Sequence, residues 1–259
     1  MDWGMKNRMA RIFKPETGRT VMLAIDHGYF LGPTSGLEEP GSTCEALLPH
    51  ADSLMLTRGV LRRCIPSTTN LPIVLRVSGG TSVLTELSGE GLTVDMEDAL
   101  RVNASAITLS VFVGEEGERT TLLNLAKLVD AGEKYGVPVL AVTAVGKNMN
   151  REPRYLGLAC RIVAELGAHM VKTYYCEGFE KLVRDTPVPV VIAGGKKIGE
   201  REAIELASNA VRDGAAGVDM GRNVFQSDCP EGMIRAIRAV VQDGATPDEA
   251  FEIYRDARG

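Results

Sequence analysis

No apolar run in this chain approaches the ~20 residues that a membrane-spanning helix needs, so the sequence offers no transmembrane segment. Nor is there a dense Lys/Arg cluster. With 29 basic against 34 acidic side chains the net charge is -5, which argues against nucleic acid or a membrane surface as a partner. The opening stretch MDWGMKNRMARIF alternates charge with apolar residues and lacks the apolar core of a signal peptide, so a cytoplasmic location is expected. The five cysteines (Cys44, Cys64, Cys160, Cys176 and Cys229) show no C-x-x-C spacing and the three histidines stand alone, so no metal site is expected. Reduced thiols follow, with Cys176 reading as small buried filler rather than as a nucleophile. The 259 residues suit one large α/β domain or two small ones, and no Ser/Pro linker or composition shift marks a boundary. A single domain over residues 1–259 is the reading adopted.

What recurs is a short β-rich apolar run, then Gly or a polar residue, then a helical stretch. The runs are TVMLAIDHG (20–28), SLMLTRG (53–59), PIVLRVSGG (72–80), AITLSVFVG (106–114), PVLAVTAVG (138–146), HMVKTYY (169–175), PVVIAGG (189–195) and AGVDMGRN (216–223). Near-continuous apolar runs mean strands covered on both faces, as in parallel sheets. Between them TLLNLAKLVDAGEKYG spaces Leu122, Leu125, Leu128 and Val129 on one helical face and stops at Gly136, and EPRYLGLACRIVAELGA carries Pro153 in its first turn. Eight such units predict an α/β fold of the (β/α)8 TIM-barrel type. A short helix over about 3–13 precedes strand one and would cap the barrel's bottom. A doubly wound open sheet is the competing reading, weakened because no G-x-G-x-x-G follows the first strand.

A barrel of this kind builds its active site at the C-terminal ends of its strands. Strand six carries Lys172 inside an apolar run, where an ammonium is costly to bury. Alternation puts Met170, Lys172 and Tyr174 on one face, and burial with the cations Lys196 and Arg222 nearby would favour a free amine able to attack a ketone. Strands seven and eight exit in AGGKK and MGRNVF, the usual phosphate cradle, with Gly194, Gly195 and Gly221 admitting close backbone approach and Arg222 adding a two-pronged cation. The plain alternatives are a turn for the glycines and a surface ion pair for Arg222. The ligand expected is a phosphorylated small molecule. Asp26, at the exit of strand one, is the first candidate to move protons and His27 the second, unless Asp26 only caps its own turn.

With Lys172, DHGYFLGP, AGGKK and MGRNVFQ in view, the chain resembles the DeoC/DhnA-type class I aldolase superfamily, and within it the LsrF-type thiolases of autoinducer-2 processing. The stretches TRGVLR, AVTAVGK, VKTYYCEGFE and GVDMGRNVFQSD carry the resemblance along nearly the whole length. It implies a Schiff-base lysine on strand six (here Lys172), an acid/base aspartate after strand one (here Asp26), and phosphate binding by Gly194, Gly195, Gly221 and Arg222. It also implies cleavage of 3-hydroxy-5-phosphonooxypentane-2,4-dione by coenzyme A, giving acetyl-CoA and dihydroxyacetone phosphate. Coenzyme A is then a co-substrate, with no bound cofactor, and the chains assemble as ring-based decamers. A sugar-phosphate aldolase is the alternative enzyme, but the Tyr-Pro-Arg-Gly segment that gives archaeal-type fructose-bisphosphate aldolases their proton donor is missing after strand five. A phosphosugar-binding protein without catalysis is the alternative outside enzymology. The chain's DWGM lies some way into such relatives, and a shorter leading segment would be expected to weaken subunit packing.

Overall fold

The computed structural model describes residues 1–144 and 152–259. Its barrel strands are β1 (Thr20–Ala24), β2 (Ser53–Thr57), β3 (Ile73–Arg76), β4 (Ala106–Val111), β5 (Val139–Thr143), β6 (Met170–Tyr174), β7 (Val190–Ala193) and β8 (Gly217–Met220). Each pairs with its neighbours in sequence, and β8 closes in parallel on β1 from Thr20↔Gly217 to Leu23↔Met220, making a (β/α)8 barrel. All eight lie within the apolar runs read from sequence. The closing seam needs glycine at 217: its φ is +123°, and a Cβ there would stand 2.0 Å from the Thr20 carbonyl oxygen.

Side chains alternate between two cores. Outward residues such as Val171, Ile192 and Val218 pack on the surrounding helices, for example Leu125 and Leu128 of Glu118–Tyr135 and Ala203, Ile204 and Ala207 of Glu200–Arg212. In Glu118–Tyr135 the buried stripe is Thr121, Leu125, Leu128 and Gly132, so the expected Leu122 and Val129 sit on its flanks, only partly buried. Thr121 holds the inner position because its hydroxyl accepts the Phe112 amide at 3.2 Å, just beyond β4. That helix ends at Gly136 in the left-handed conformation, and Pro153–Glu165 opens on its proline, both as expected.

Inward residues form an apolar floor of Met22, Ala24, Met55, Val74, Ala106, Leu140, Met170 and Val191. The helix Trp3–Ile12, capped by Asp2 accepting the Met5 amide at 2.8 Å, sends Ile12 and the following Phe13 into the underside of this floor. The bottom is thereby sealed and the polar chemistry left to the top. A small antiparallel ladder of Ser78–Gly79 with Gly91–Leu92, which the sequence did not announce, folds the chain after β3 over the mouth. Among the described residues no helix is long and apolar enough to cross a membrane.

Ile12→Ala should leave a cavity under the floor and lower stability by about 2–5 kcal/mol, the usual cost of such a truncation. The urea midpoint measures it; an unchanged midpoint would mean that the floor is sealed without this side chain.

Candidate active site

Above the apolar floor the barrel interior turns polar. Continuing the alternation upward from Met170 puts Lys172 in the next inward layer, and on β8 Asp219 points inward between Val218 and Met220, which face the helices. Both are buried, and Lys172 Nζ lies 2.9 Å from Asp219 Oδ2. The approach is an ion pair rather than a well-directed hydrogen bond, and neither Asp219 oxygen has another hydrogen-bond partner among the described residues. Burial raises the pKa of Asp219, against the lowering effect of Lys172. The sequence places the cations Lys196 and Arg222 near Lys172. Its close neighbour is instead a carboxylate, and Lys196 is exposed and absent from the cavity lining. The chain turns outward after Gly195, which explains that correction. Lys197, another amine at this exit, is tied to the Ile198 carbonyl and to Glu200, both at 2.7 Å.

A second buried pair faces the same cavity, a space of about 200 Å³ at the strand exits. Arg76, at the end of β3, donates from Nε to Asp26 Oδ2 at 2.9 Å and from Nη1 to the Ser110 hydroxyl at 3.1 Å. Burial would raise the Asp26 pKa, but the Arg76 and neighbouring cationic groups outweigh it and hold the carboxyl below its ordinary range. Burial also works against the Arg76 charge, and the Tyr29, Asp26 and Glu90 groups overcome it. Tyr29 lies under the guanidinium, 5.2 Å from ring centroid to Cζ, and donates to Glu90 at 2.7 Å; Glu90 in turn accepts from Ser78 at 2.6 Å. Asp26 does not cap its turn: the Tyr29 amide bonds the Asp26 backbone carbonyl, and the carboxylate belongs to Arg76.

His27 lines the cavity with its ring against Phe225, centroids 5.5 Å apart. Its Nδ1 is buried without a hydrogen-bond partner among the described residues, 4.0 Å from Asp26 Oδ1. Burial lowers its pKa to about 4, overriding the raising effect of Asp26, so the ring is neutral at pH 7. The free thiol of Cys176 is likewise buried, which raises its pKa and keeps it from being a thiolate, in line with the filler reading.

At the exits of β7 and β8, Gly194, Gly195, Gly221 and Arg222 all line the cavity, as does Tyr174 at the end of β6. Two of these glycines are demanded by protein packing before any ligand. A Cβ on Gly221 would stand 2.4 Å from both the Ala24 carbonyl oxygen and His27 Cε1, and one on Gly194 would stand 2.9 Å from Asn223 Nδ2. Asn223 ties the two exits together, donating to the Gly194 carbonyl at 2.7 Å and accepting the Ile198 amide at 2.9 Å. The sequence reading overlooked Arg76, Ser110, Asn223 and Asp219. Its signal for two of them was there: Arg76 and Asp219, like Lys172, are charges embedded in apolar runs. Residues 145–151, which follow strand five and include the lysine of AVTAVGK, Lys147, lie outside the described residues.

A family model described as DeoC/LacD family aldolase matches residues 20–227. The chain belongs to that family. It is 54% identical over 255 residues to the 3-hydroxy-5-phosphonooxypentane-2,4-dione thiolase of Escherichia coli strain K12, covering 98% of this chain and 88% of that one. Among solved structures it resembles an archaeal fructose 1,6-bisphosphate aldolase, with a TM-score of 0.82 and 26% identity over 93% of this chain and 100% of the other. It also resembles an archaeal fructose-1,6-bisphosphate aldolase whose catalytic lysine is covalently bound to the carbinolamine intermediate of its substrate, with a TM-score of 0.80, 25% identity, and 92% and 99% coverage. This DeoC/LacD chain is thus an enzyme of the class I aldolase superfamily.

In this DeoC/LacD enzyme His27 carries a pH signature. Its folded pKa, about 4, lies below the unfolded value of 6.5, so its neutral form contributes stability fully above pH 6.5 that is lost as pH falls toward 4. The loss is on the order of 3 kcal/mol for a depression of this size. His27→Gln should flatten the stability curve between those pH values in urea titrations; an unchanged slope would mean that the ring protonates as freely folded as unfolded.

Proposed function

We propose that this enzyme is a Schiff-base thiolase that transfers the acetyl group of 3-hydroxy-5-phosphonooxypentane-2,4-dione to coenzyme A, releasing acetyl-CoA and dihydroxyacetone phosphate in autoinducer-2 degradation. The observation that carries this reading is the Lys172–Asp219 pair at the cavity, a buried amine beside a carboxylate with no other hydrogen-bond partner among the described residues. The 54% identity to a thiolase named for that substrate supports the choice of reaction.

An ammonium is not a nucleophile, so Lys172 must first lose a proton, and Asp219 is the base within reach. The free amine adds to the ketone next to the phosphate. Asp219 then returns the proton to the carbinolamine hydroxyl, which leaves as water and yields the iminium. The coenzyme A thiol adds to the far carbonyl, the carbon–carbon bond between the two carbonyl-bearing halves breaks, and its electron pair enters the iminium to give an enamine. Asp26, ionised beside Arg76, takes the thiol proton and delivers it to the enamine carbon, with His27 as the alternative carrier. Water then releases dihydroxyacetone phosphate. Gly194, Gly195, Gly221 and Arg222 hold the phosphate throughout. No protein cysteine is acylated. Coenzyme A is a co-substrate, no cofactor stays bound, and the reading extends to a cytoplasmic, ring-based decamer.

The likeness to an archaeal fructose 1,6-bisphosphate aldolase favours one competing reading, a sugar-phosphate aldolase using the same enamine. Coenzyme A dependence separates the two. Wild-type enzyme with the phosphorylated diketone and coenzyme A should form acetyl-CoA, and borohydride should trap an adduct by intact mass. Lys172→Ala should lose both the turnover and the adduct while its thermal unfolding stays cooperative. An adduct that survives in that variant would move the nucleophile to another lysine.

A further inference from the structure

The two charged pairs divide the mouth of the barrel. In a closed ring of eight strands, β3 and β4 stand opposite β7 and β8. The glycines and Arg222 belong to the β7–β8 side, Lys172 to β6, and Arg76 and Ser110 to the β3–β4 side. A ligand with its phosphate on the first side and a ketone at Lys172 therefore extends its remaining carbons toward Arg76. That guanidinium is fixed rather than adaptable. It is 5% exposed, its Nε is spent on Asp26, its Nη1 on Ser110, and Tyr29 lies below its plane. No hydrogen bond from Nη2 is made among the described residues, while the side chain lines the cavity.

We propose that Arg76, aligned by Ser110, binds the carbonyl remote from the phosphate and stabilises the negative charge that grows on its oxygen when the thiol adds. The inference rests on the thiolase reading and deepens it, because it assigns the subsite that makes the substrate class a phosphorylated 1,3-dicarbonyl rather than a simple ketose phosphate. When sulfur bonds to the acyl carbon, the thiol proton passes to Asp26 and the carbonyl π pair becomes the oxyanion facing Arg76. When that carbonyl re-forms, the carbon–carbon bond breaks, its pair enters the enamine, and the Asp26 proton is delivered to the carbon left behind. A preorganised donor aimed at the developing charge, already held in place and shielded from water, acts more strongly on the transition state than on the ground state. The Arg76–Asp26 bond then has a second effect: the group that polarises the acyl carbonyl also keeps the base ionised.

The test compares two reactions of the same enzyme. Borohydride trapping with dihydroxyacetone phosphate uses the phosphate and the Lys172 ketone but has no acyl end, whereas thiolysis of the phosphorylated diketone uses all three. Arg76→Lys keeps a positive charge for Asp26 but lacks the fork of donors. It should trap dihydroxyacetone phosphate at near the wild-type rate and lose ~10²–10³-fold in kcat for acetyl-CoA formation, the usual cost of one oxyanion donor. Ser110→Ala is a smaller change that frees Nη1; it should lose thiolysis by roughly tenfold, with trapping intact, as expected when a donor is misaligned. Equal losses in the two reactions would overturn the proposal, since Arg76 would then support Schiff-base formation or the fold as a whole rather than the acyl end. Unchanged thiolysis in both variants would overturn it as well. A wild-type enzyme that makes no acetyl-CoA would overturn the thiolase reading and this proposal together, whereas the first two outcomes leave that reading standing.

Discussion

The buried contact between Lys172 and Asp219 is the constraint on which the rest of the structure depends. Two charges lie in the interior of a closed barrel, where burial strips most of their hydration and their mutual attraction offsets part of that cost. Such a pair is a poor device for stability, since well-packed apolar residues would serve as well or better. The chain tolerates it because the layer below is apolar and sealed by Ile12 and Phe13, and because all eight strands satisfy their backbone groups in one ring. Removing either partner leaves an uncompensated charge, so the two residues act as a unit.

The second pair, Asp26 with Arg76, repeats the arrangement across the mouth but with opposite electrostatic results. Burial wins at Asp219 and raises its pKa, whereas Arg76 wins at Asp26 and lowers it. One carboxyl is therefore suited to exchange protons with an amine and the other to remain a base. Two similar side chains acquire opposite pKa shifts from their surroundings, the pattern by which a single site can supply both an acid and a base at one pH. Tyr29, Glu90 and Ser78 extend the network outward to the small ladder over the mouth and lock Arg76 from the solvent side.

Much of this was legible in the chain before folding. The eight strands announced themselves as apolar runs between helices, and Lys172 stood out as a charge inside one of them. Arg76 in PIVLRV and Asp219 in GVDM are charges of the same kind, yet each borders a glycine-rich strand exit, where a polar residue passes for an ordinary solvent-facing end. Their partners lie 50 and 47 residues away, distances in sequence over which no pattern links them until the barrel closes. In sequence, the glycines of the β7 and β8 exits suggest room for a ligand. Two of them are first room for Asn223, His27 and the Ala24 carbonyl, a close approach that only three-dimensional packing reveals. Lys196 looked adjacent to the chemistry because it follows the glycines, and the turn carries it out to solvent.

The central claim is that Asp219 accepts the proton that frees the Lys172 amine, and Asp219→Asn tests it most directly. Asparagine keeps the shape of the carboxylate but cannot take that proton. Rapid-quench borohydride trapping of dihydroxyacetone phosphate at pH 7 should then be slower than wild type by roughly 10²-fold, within the usual range for a positioned proton acceptor. It should recover as pH rises and bulk hydroxide removes the lysine proton instead. A variant that forms the adduct at the wild-type rate across the pH range would contradict the account.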